Sequence, residues 1–322
     1  MRRVLQAAFL LLNLWIGVQF YFWVRLYETG AASVWVSRPP GVEGWLPVAS
    51  LMNLKCWLVT GEVPRIHPAG MFLLVDFLAI SWLLRKAFCS WLCPVGTLSE
   101  WLWRAGRRVF GRNPRLPRWL DIGLRSLKYL LLALFVYAVG NMRVADLRAF
   151  LDGPYGVIAD VKMLNFFRYL SLTSAVVIGL LVAASLLVQN FWCRYLCPYG
   201  ALMGLFSMLS PLRIRRHPAA CVDCGACARA CPSLLPVDAL LSVKSAECTG
   251  CLECIAACPS PAALRLAAPG RRPVARWVFA ALLVALFVGI VGYAKFTNHW
   301  RTDLPSQVYS DLVPRAAEYT HP

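Results

Sequence analysis

Cys221-Val222-Asp223-Cys224-Gly225-Ala226-Cys227-Ala228-Arg229-Ala230-Cys231-Pro232 is followed by a second run of the same form, Cys248-Thr249-Gly250-Cys251-Leu252-Glu253-Cys254-Ile255-Ala256-Ala257-Cys258-Pro259. Three cysteines spaced by two residues wrap three corners of an iron–sulfur cube, and the fourth, ahead of proline, reaches across to the other cluster. The spacing therefore predicts one [4Fe–4S] cluster on Cys221, Cys224, Cys227 and Cys258, and a second on Cys248, Cys251, Cys254 and Cys231. Gly225 and Gly250 lie in the ligand loops, where the backbone must curl round a cluster and positive φ is expected. Zinc sites pair cysteines as doublets, and eight cysteines in this order do not read as a disulfide framework.

Around this cassette the chain is apolar. Hydrophobic residues make up 59% and charged residues 15% of 322 residues, with a mean hydropathy of +0.58, a composition unlike that of a soluble chain. Apolar runs near the length of a bilayer crossing predict five transmembrane helices, at 5–26, 68–84, 127–142, 170–191 and 274–294. The third is short by this criterion. A further apolar stretch, 45–59, carries Pro47, Asn53 and Lys55 and reads as a re-entrant or interfacial segment, because polar groups are poorly tolerated against lipid. The first span is an uncleaved anchor rather than a signal peptide, since its apolar core is longer than a typical h-region. The small residues Gly30, Ala31 and Ala32 would be the cleavage site in the alternative reading.

Lysine and arginine set the orientation. With the N-terminus inside, segments 1–4, 85–126 and 192–273 are cytoplasmic, and they hold Arg2, Arg3, the basic belt from Arg85 to Arg125, Arg194, Arg213, Arg215, Arg216, Arg271 and Arg272. The loops 27–67 and 143–169 are nearly balanced. The formal net charge of +17 is thus mainly a topology signal, with anionic membrane lipid as its partner and no nucleic acid implied. The cassette then faces a reducing cytoplasm, and 295–322 form a tail on the periplasmic side of a bacterial inner membrane. Tryptophans such as Trp15, Trp23, Trp45 and Trp57 read as interface anchors.

The membrane part contains its own repeat. Phe88-Cys89-Ser90-Trp91-Leu92-Cys93-Pro94-Val95-Gly96-Thr97-Leu98 matches Trp192-Cys193-Arg194-Tyr195-Leu196-Cys197-Pro198-Tyr199-Gly200-Ala201-Leu202 at an offset of 104 residues. Each copy ends a predicted span, on the same side of the membrane, as a duplicated helical hairpin would place it. Cysteines at i and i+4 share a helix face, and the proline after the second breaks that helix or starts the next. Cys89, Cys93, Cys193 and Cys197 can thus converge to a four-thiolate metal site, iron–sulfur or zinc. A redox-active dithiol and buried packing thiols are the competing readings. Cys56 has no partner and reads as packing.

Asp76, inside the second span, is a candidate proton or quinone residue, or forms an ion pair with Lys162 or Arg168. His67, at a membrane helix end, reads as structural or as a quinone-protonating group. Covalent c-type haem and nucleotide sites lack their motifs.

The order of helices, the two Cys-x3-Cys-Pro motifs and the tandem cysteine run resemble those of the NapH/NosR-type membrane polyferredoxins. Arg38-Pro39-Pro40-Gly41-Val42-Glu43, His67-Pro68-Ala69-Gly70, Asp160-Val161-Lys162-Met163 and Cys193-Arg194-Tyr195-Leu196-Cys197-Pro198-Tyr199-Gly200 are similar to stretches of a short branch of that family. The resemblance covers about 5–266. It implies electron transfer between the quinone pool or other membrane carriers and reductases or maturation systems. The chain lacks the large flavin-binding domain of NosR-like proteins. The expected architecture is a mainly α membrane domain, 1–212, with the duplicated hairpin. A cytoplasmic α+β two-cluster ferredoxin follows at 213–268, and a terminal helix with its periplasmic tail at 269–322. The expected function is an electron carrier, or a subunit of an oxidoreductase system. It would relay electrons between the cytoplasmic clusters and a quinone or a membrane or periplasmic redox protein, with a cytoplasmic ferredoxin or reductase as further partner. A membrane copper reductase using the four thiols, and a redox-sensing assembly or regulatory protein, are the alternatives.

Overall fold

The computed structural model describes residues 1–30 and 36–321; Ala31 and Ala32 of the alternative cleavage site fall outside them. The chain is mostly helical. Helix α1 (Arg2–Thr29) has 28 residues and a length of about 42 Å at 1.5 Å per residue, more than a hydrocarbon core of about 30 Å. Helix α2 (Pro47–Thr60) precedes α3 (Pro68–Leu83), α4 (Ala87–Trp91), α5 (Pro94–Phe110) and α6 (Arg118–Asn141). Later helices run over Val144–Asp152, Ala159–Arg168, Leu172–Leu187, Pro198–Met208, Arg276–Phe296 and Ser306–Leu312.

Among the described residues three helices are long and apolar enough to cross a membrane: α1, α6 and Arg276–Phe296. A fourth span arises if Ala159–Arg168 and Leu172–Leu187, bent by 83°, count as one. Helix α3 is apolar but has only 16 residues, about 24 Å. The third expected span is not short. Its helix starts at Arg118 rather than 127, because the charge in those first turns is satisfied: Asp121 accepts from Arg194 Nε and Nη2 at 2.8 and 2.9 Å and from the Tyr195 hydroxyl at 2.7 Å.

The 45–59 stretch is α2, and its polar residues are all turned to protein. Asn53 donates to the Ile66 and His67 carbonyls at 2.8 and 3.1 Å. Lys55 Nζ donates to the Val139, Gly140 and Met142 carbonyls at 3.0, 2.7 and 2.6 Å, the acceptors a helix C-terminus leaves free. Cys56 is buried with Met52, Leu147 and Leu151, as expected of a packing thiol.

The chain divides into two compact units. Unit 1 comprises 1–10, 77–132 and 177–287; unit 2 comprises 11–76, 133–176 and 288–322. In unit 1 the two strands β1 (Arg213–Arg216) and β2 (Leu264–Ala267) pair antiparallel, with Ile214 opposite Leu266. Both side chains are buried. In unit 2 the tail is ordered: Tyr309 and Leu312 pack with Phe20, Trp23, Ile158 and Val161. Trp23 meets the Tyr309 ring edge-on at 5.0 Å, so this tryptophan is core rather than an interface anchor; Trp15 and Trp45 are exposed.

Candidate iron–sulfur and thiol sites

The cassette loops repeat in backbone as well as in sequence. Asp223 and Gly225 in the first run, and Gly250 and Leu252 in the second, have φ between 48° and 65°. These are the same two positions, two and four residues after the first cysteine. The sequence marks one of each pair with glycine; Asp223 and Leu252 adopt the left-handed region without it, which for leucine is strained.

Cys231, Cys248, Cys251 and Cys254 line one cavity, closed by Ile214, Leu235 and Val237. Three of the four are buried. Burial pushes the Cys251 thiol up to about 12, and it pushes Cys254 further, helped by Cys251, Cys248 and Cys231. Without metal these thiols are therefore protonated at neutral pH, so metal binding displaces protons. In the other group Cys227 feels Cys258, and Cys224 is exposed to solvent.

The repeated motifs have one local design. Helix α3 stops at Leu83, α4 carries Cys89, and Cys93 is the extended N-cap of α5, its sulfur accepting from Gly96 N at 3.4 Å. In the second copy a single π turn, Trp192–Leu196, carries Cys193. Cys197 is the N-cap of Pro198–Met208 and accepts from Gly200 N at 3.2 Å. The i, i+4 cysteines thus do not share a helix face: the proline starts a new helix and leaves the second thiol at its positive end, where negative charge is favoured. A methyl on Gly96 would lie 2.1 Å from the Cys89 carbonyl oxygen, so only glycine allows this approach.

The four thiols are close enough to act on one another electrostatically. Burial raises Cys93, and Cys89, Cys193 and Cys197 all act on it. Burial also takes Cys89 to about 11 and Cys193 to about 12. No group of three or more His, Cys, Asp or Glu side chains among the described residues is arranged to hold a metal ion, and that holds for the cassette cysteines as well. Arg85, Lys86 and Arg194 are buried, at 1%, 3% and 6% exposure. Arg85 and Lys86 of the basic belt, and Arg194 after it, thus serve the interior of unit 1 rather than lipid headgroups. Burial opposes charge on Lys86, but Cys89, Glu247, Cys197 and Cys193 carry it above the ordinary lysine range.

Each motif also grips a cassette loop. From the first copy, Ser90 Oγ donates to the Thr249 carbonyl at 2.7 Å and Trp91 Nε1 to the Gly250 carbonyl at 3.1 Å. From the second, Arg194 Nη1 donates to the Ser233 carbonyl at 2.6 Å. Asn190 Nδ2 reaches the Pro232 carbonyl at 3.4 Å. All these residues belong to unit 1.

In unit 2, His67 is buried in a network that sequence reading did not assemble. Arg38 donates to Asp160 Oδ2 from Nε and Nη2 at 2.9 and 2.6 Å, and to Glu43 Oε1 at 2.7 Å. The His67 ring lies 3.2 Å from Arg38 Nη2 and 2.9 Å from the Gly156 carbonyl. Thr302 donates to Glu43 Oε1 at 2.9 Å. Burial alone would raise the Glu43 carboxyl, but Arg38 and His67 bring it down to about 2. Three of the four quoted family-like stretches meet here. Asp76 is fully buried, and neither carboxylate oxygen has a hydrogen-bond partner. Arg168, one expected partner, instead binds Glu28 at 2.7 and 3.0 Å.

Comparison with known proteins follows the same division. A family model described as a 4Fe-4S binding domain matches twice, at 66–113 and 170–217, once over each copy of the cysteine motif. A 4Fe-4S dicluster domain model matches 213–259. Iron–sulfur clusters are thus the cofactors, and the donor set fits them: clustered thiols, amide N–H groups on sulfur and a buried ammonium. The putative electron transport protein YccM of Escherichia coli is 46% identical over 328 residues, covering 99% of this chain and 91% of that protein. The similarity thus includes the terminal helix and tail, beyond the 5–266 expected. The ferredoxin-type protein NapH of Haemophilus influenzae is 25% identical over 68% of this chain and 76% of its own. Protein NirI of Paracoccus denitrificans is 29% identical over 65% of this chain but only 31% of its own length. No solved structure gives a significant match. With its duplicated cysteine motif, its tandem cassette and a full-length relative, the chain belongs to the NapH/NosR-type membrane ferredoxin family.

Proposed function

We propose that the chain is a membrane-bound electron carrier that passes electrons between a cytoplasmic two-cluster ferredoxin and a thiol-held site at the end of the membrane helices. One observation carries this reading: both copies of the membrane motif are hydrogen-bonded to the loops of the buried cysteine group, through Ser90, Trp91 and Arg194. We assign one cluster to Cys221, Cys224, Cys227 and Cys258 and the second to Cys248, Cys251, Cys254 and Cys231, in keeping with the cavity that the latter four line. The exposed Cys224 loop then suits exchange with a soluble ferredoxin or reductase, and the buried group is next in line to the membrane motif.

Cys89, Cys93, Cys193 and Cys197 would hold a third iron–sulfur cluster. The match of each copy to a 4Fe-4S binding model supports this. A tetrahedral zinc site with Zn–S bonds of about 2.3 Å needs thiols less than about 4 Å apart, whereas a cube spreads its ligands wider. Such clusters supply one-electron chemistry, and the protein's work is to place them, exclude water and set potential. The outer partner would be a quinone or an extracytoplasmic redox protein, with Asp76 as proton carrier; the fixed hydrogen bonds of His67 suit a structural part better. The five apolar helices would be the spans, with the N-terminus and cassette in the cytoplasm of a bacterial inner membrane.

Iron analysis of anaerobically purified protein tests the reading. The wild type should hold about twelve iron per chain and the variant with all four membrane cysteines changed to serine about eight. That variant should reduce its ferredoxin clusters normally yet fail to pass electrons onward. About eight iron in both proteins, with transfer intact, would refute it.

A further inference from the structure

Lys86 lies on the N-terminal side of α4, three residues before Cys89, and is almost fully buried. A lysine is seldom buried unless a negative charge compensates it. One carboxylate, Glu247, acts on Lys86, but it is shared between two buried lysines: both of its oxygens accept from Lys128 Nζ at 2.7 Å. Besides that shared carboxylate, the groups that act on Lys86 are Cys89, on the helix it caps, and Cys197 and Cys193 of the other copy. Neutral thiols would not compensate an ammonium there; thiolates of an anionic cluster would.

We propose that Lys86 is the potential-setting residue of the membrane thiol site, its fixed positive charge favouring the reduced form of the cluster held by Cys89, Cys93, Cys193 and Cys197. This rests on the third-cluster reading above. Adding an electron makes such a cluster more negative, and a neighbouring cation in a low-dielectric interior stabilises that state selectively. The balance is one electron in at the cluster, with no bond made or broken and no proton moved. Lys86 thus acts through the thiolates and touches no substrate. Its charge makes the membrane site a better electron acceptor from the ferredoxin than burial alone would allow.

Redox titration followed by EPR tests this on the full-length protein in detergent, with iron content measured on each sample. Lys86→Met should weaken reduction of the membrane cluster at least tenfold, a fall of about 59 mV or more in its midpoint. Lys86→Arg, which keeps the charge, should hold the midpoint near the wild-type value. The cluster on Cys221, Cys224, Cys227 and Cys258 should not move in either. Loss of membrane-site iron in Lys86→Met but not in Lys86→Arg would also support the charge role. An unchanged midpoint in Lys86→Met, or equal damage in both variants, would overturn it. If the wild type holds no iron beyond the ferredoxin, it is the third-cluster reading that fails, and the iron assay shows this separately.

Discussion

Gly96 and Gly200 hold the same place in the two copies of the motif, yet replacing them with alanine should have different consequences. Each is buried in the first turn of a helix, and each donates its N–H to the N-cap cysteine sulfur, at 3.4 and 3.2 Å. Neither has positive φ, so backbone preference is equal and only space differs. A methyl on Gly96 would sit 2.1 Å from the Cys89 carbonyl oxygen, whereas on Gly200 the nearest atoms are Cys197 Sγ at 3.5 Å and Cys193 O at 3.6 Å. The obstacle at Gly96 is backbone, so the first turn of α5 or the Cys89 peptide must move by about 1 Å or more to restore ordinary contact. Overpacking of this kind costs about 1–3 kcal/mol, and a displacement that large exceeds the roughly 0.5 Å that a ligand constellation tolerates. Gly96→Ala should therefore lose the membrane-site iron, about four of about twelve per chain, and lower the thermal midpoint in detergent. Gly200→Ala should keep both, and the ferredoxin iron serves as the internal control. Equal behaviour of the two variants, whether both intact or both damaged, would refute the reasoning.

The crossed cluster assignment predicts that Cys231→Ser removes the EPR signal of the cluster on Cys248, Cys251 and Cys254, and that Cys258→Ser removes the other; loss of the sequence-neighbour cluster in either case would reverse the assignment. The Glu43 carboxyl, ordinarily near 4.5 and here held at about 2, stabilises the folded state fully above its unfolded pKa. That stabilisation fades as pH falls from about 4.5 to about 2. The shift corresponds to about 3 kcal/mol. Thermal midpoints measured across that window should fall for the wild type and fall less for Glu43→Gln, which starts lower at neutral pH; parallel curves would remove Glu43 as the group responsible.

The cassette was legible because cluster ligation fixes both spacing and residue type, and the motif repeat was legible because it is a repeat. What the sequence could not give was partner choice. Arg85, Lys86 and Arg194 carry the same letters as the exposed basic residues, and only burial separates the two sets. Asn53 and Lys55 argue against a span facing lipid, and the carbonyl acceptors that hold them within the protein left no trace in the sequence. The Cys-x3-Cys spacing suggested one helix face, but the proline restarts the helix and turns Cys93 and Cys197 into N-caps. Arg38, Glu43, His67 and Asp160 lie in stretches singled out by resemblance, yet their convergence across more than 120 positions of chain left no local pattern to read. One signal was available: two of these stretches join a charged or polar residue to Pro and Gly, and a charge buried without a partner is costly.

The crossed ligation proposed above would also account for how a duplicated membrane motif can serve one ferredoxin. Copy one of the motif holds the Thr249–Gly250 loop, which belongs to the second cassette run, while copy two holds Pro232 and Ser233, which follow the last cysteine of the first run. Without the crossover these would be loops of two different clusters, and each copy of the motif would face its own. With Cys231 exchanged between the runs, as proposed, both loops would belong to the same cluster, the one whose cysteines are mostly buried. Helix α3 and Leu172–Leu187 have 16 residues each, about 24 Å. That is short of a hydrocarbon core of about 30 Å, so on the proposed topology the thiols that follow them would lie near the inner edge of the membrane. Two short helices, each followed by a turn or two of helix and then a restart at proline, would thereby place four thiols beside a single cluster.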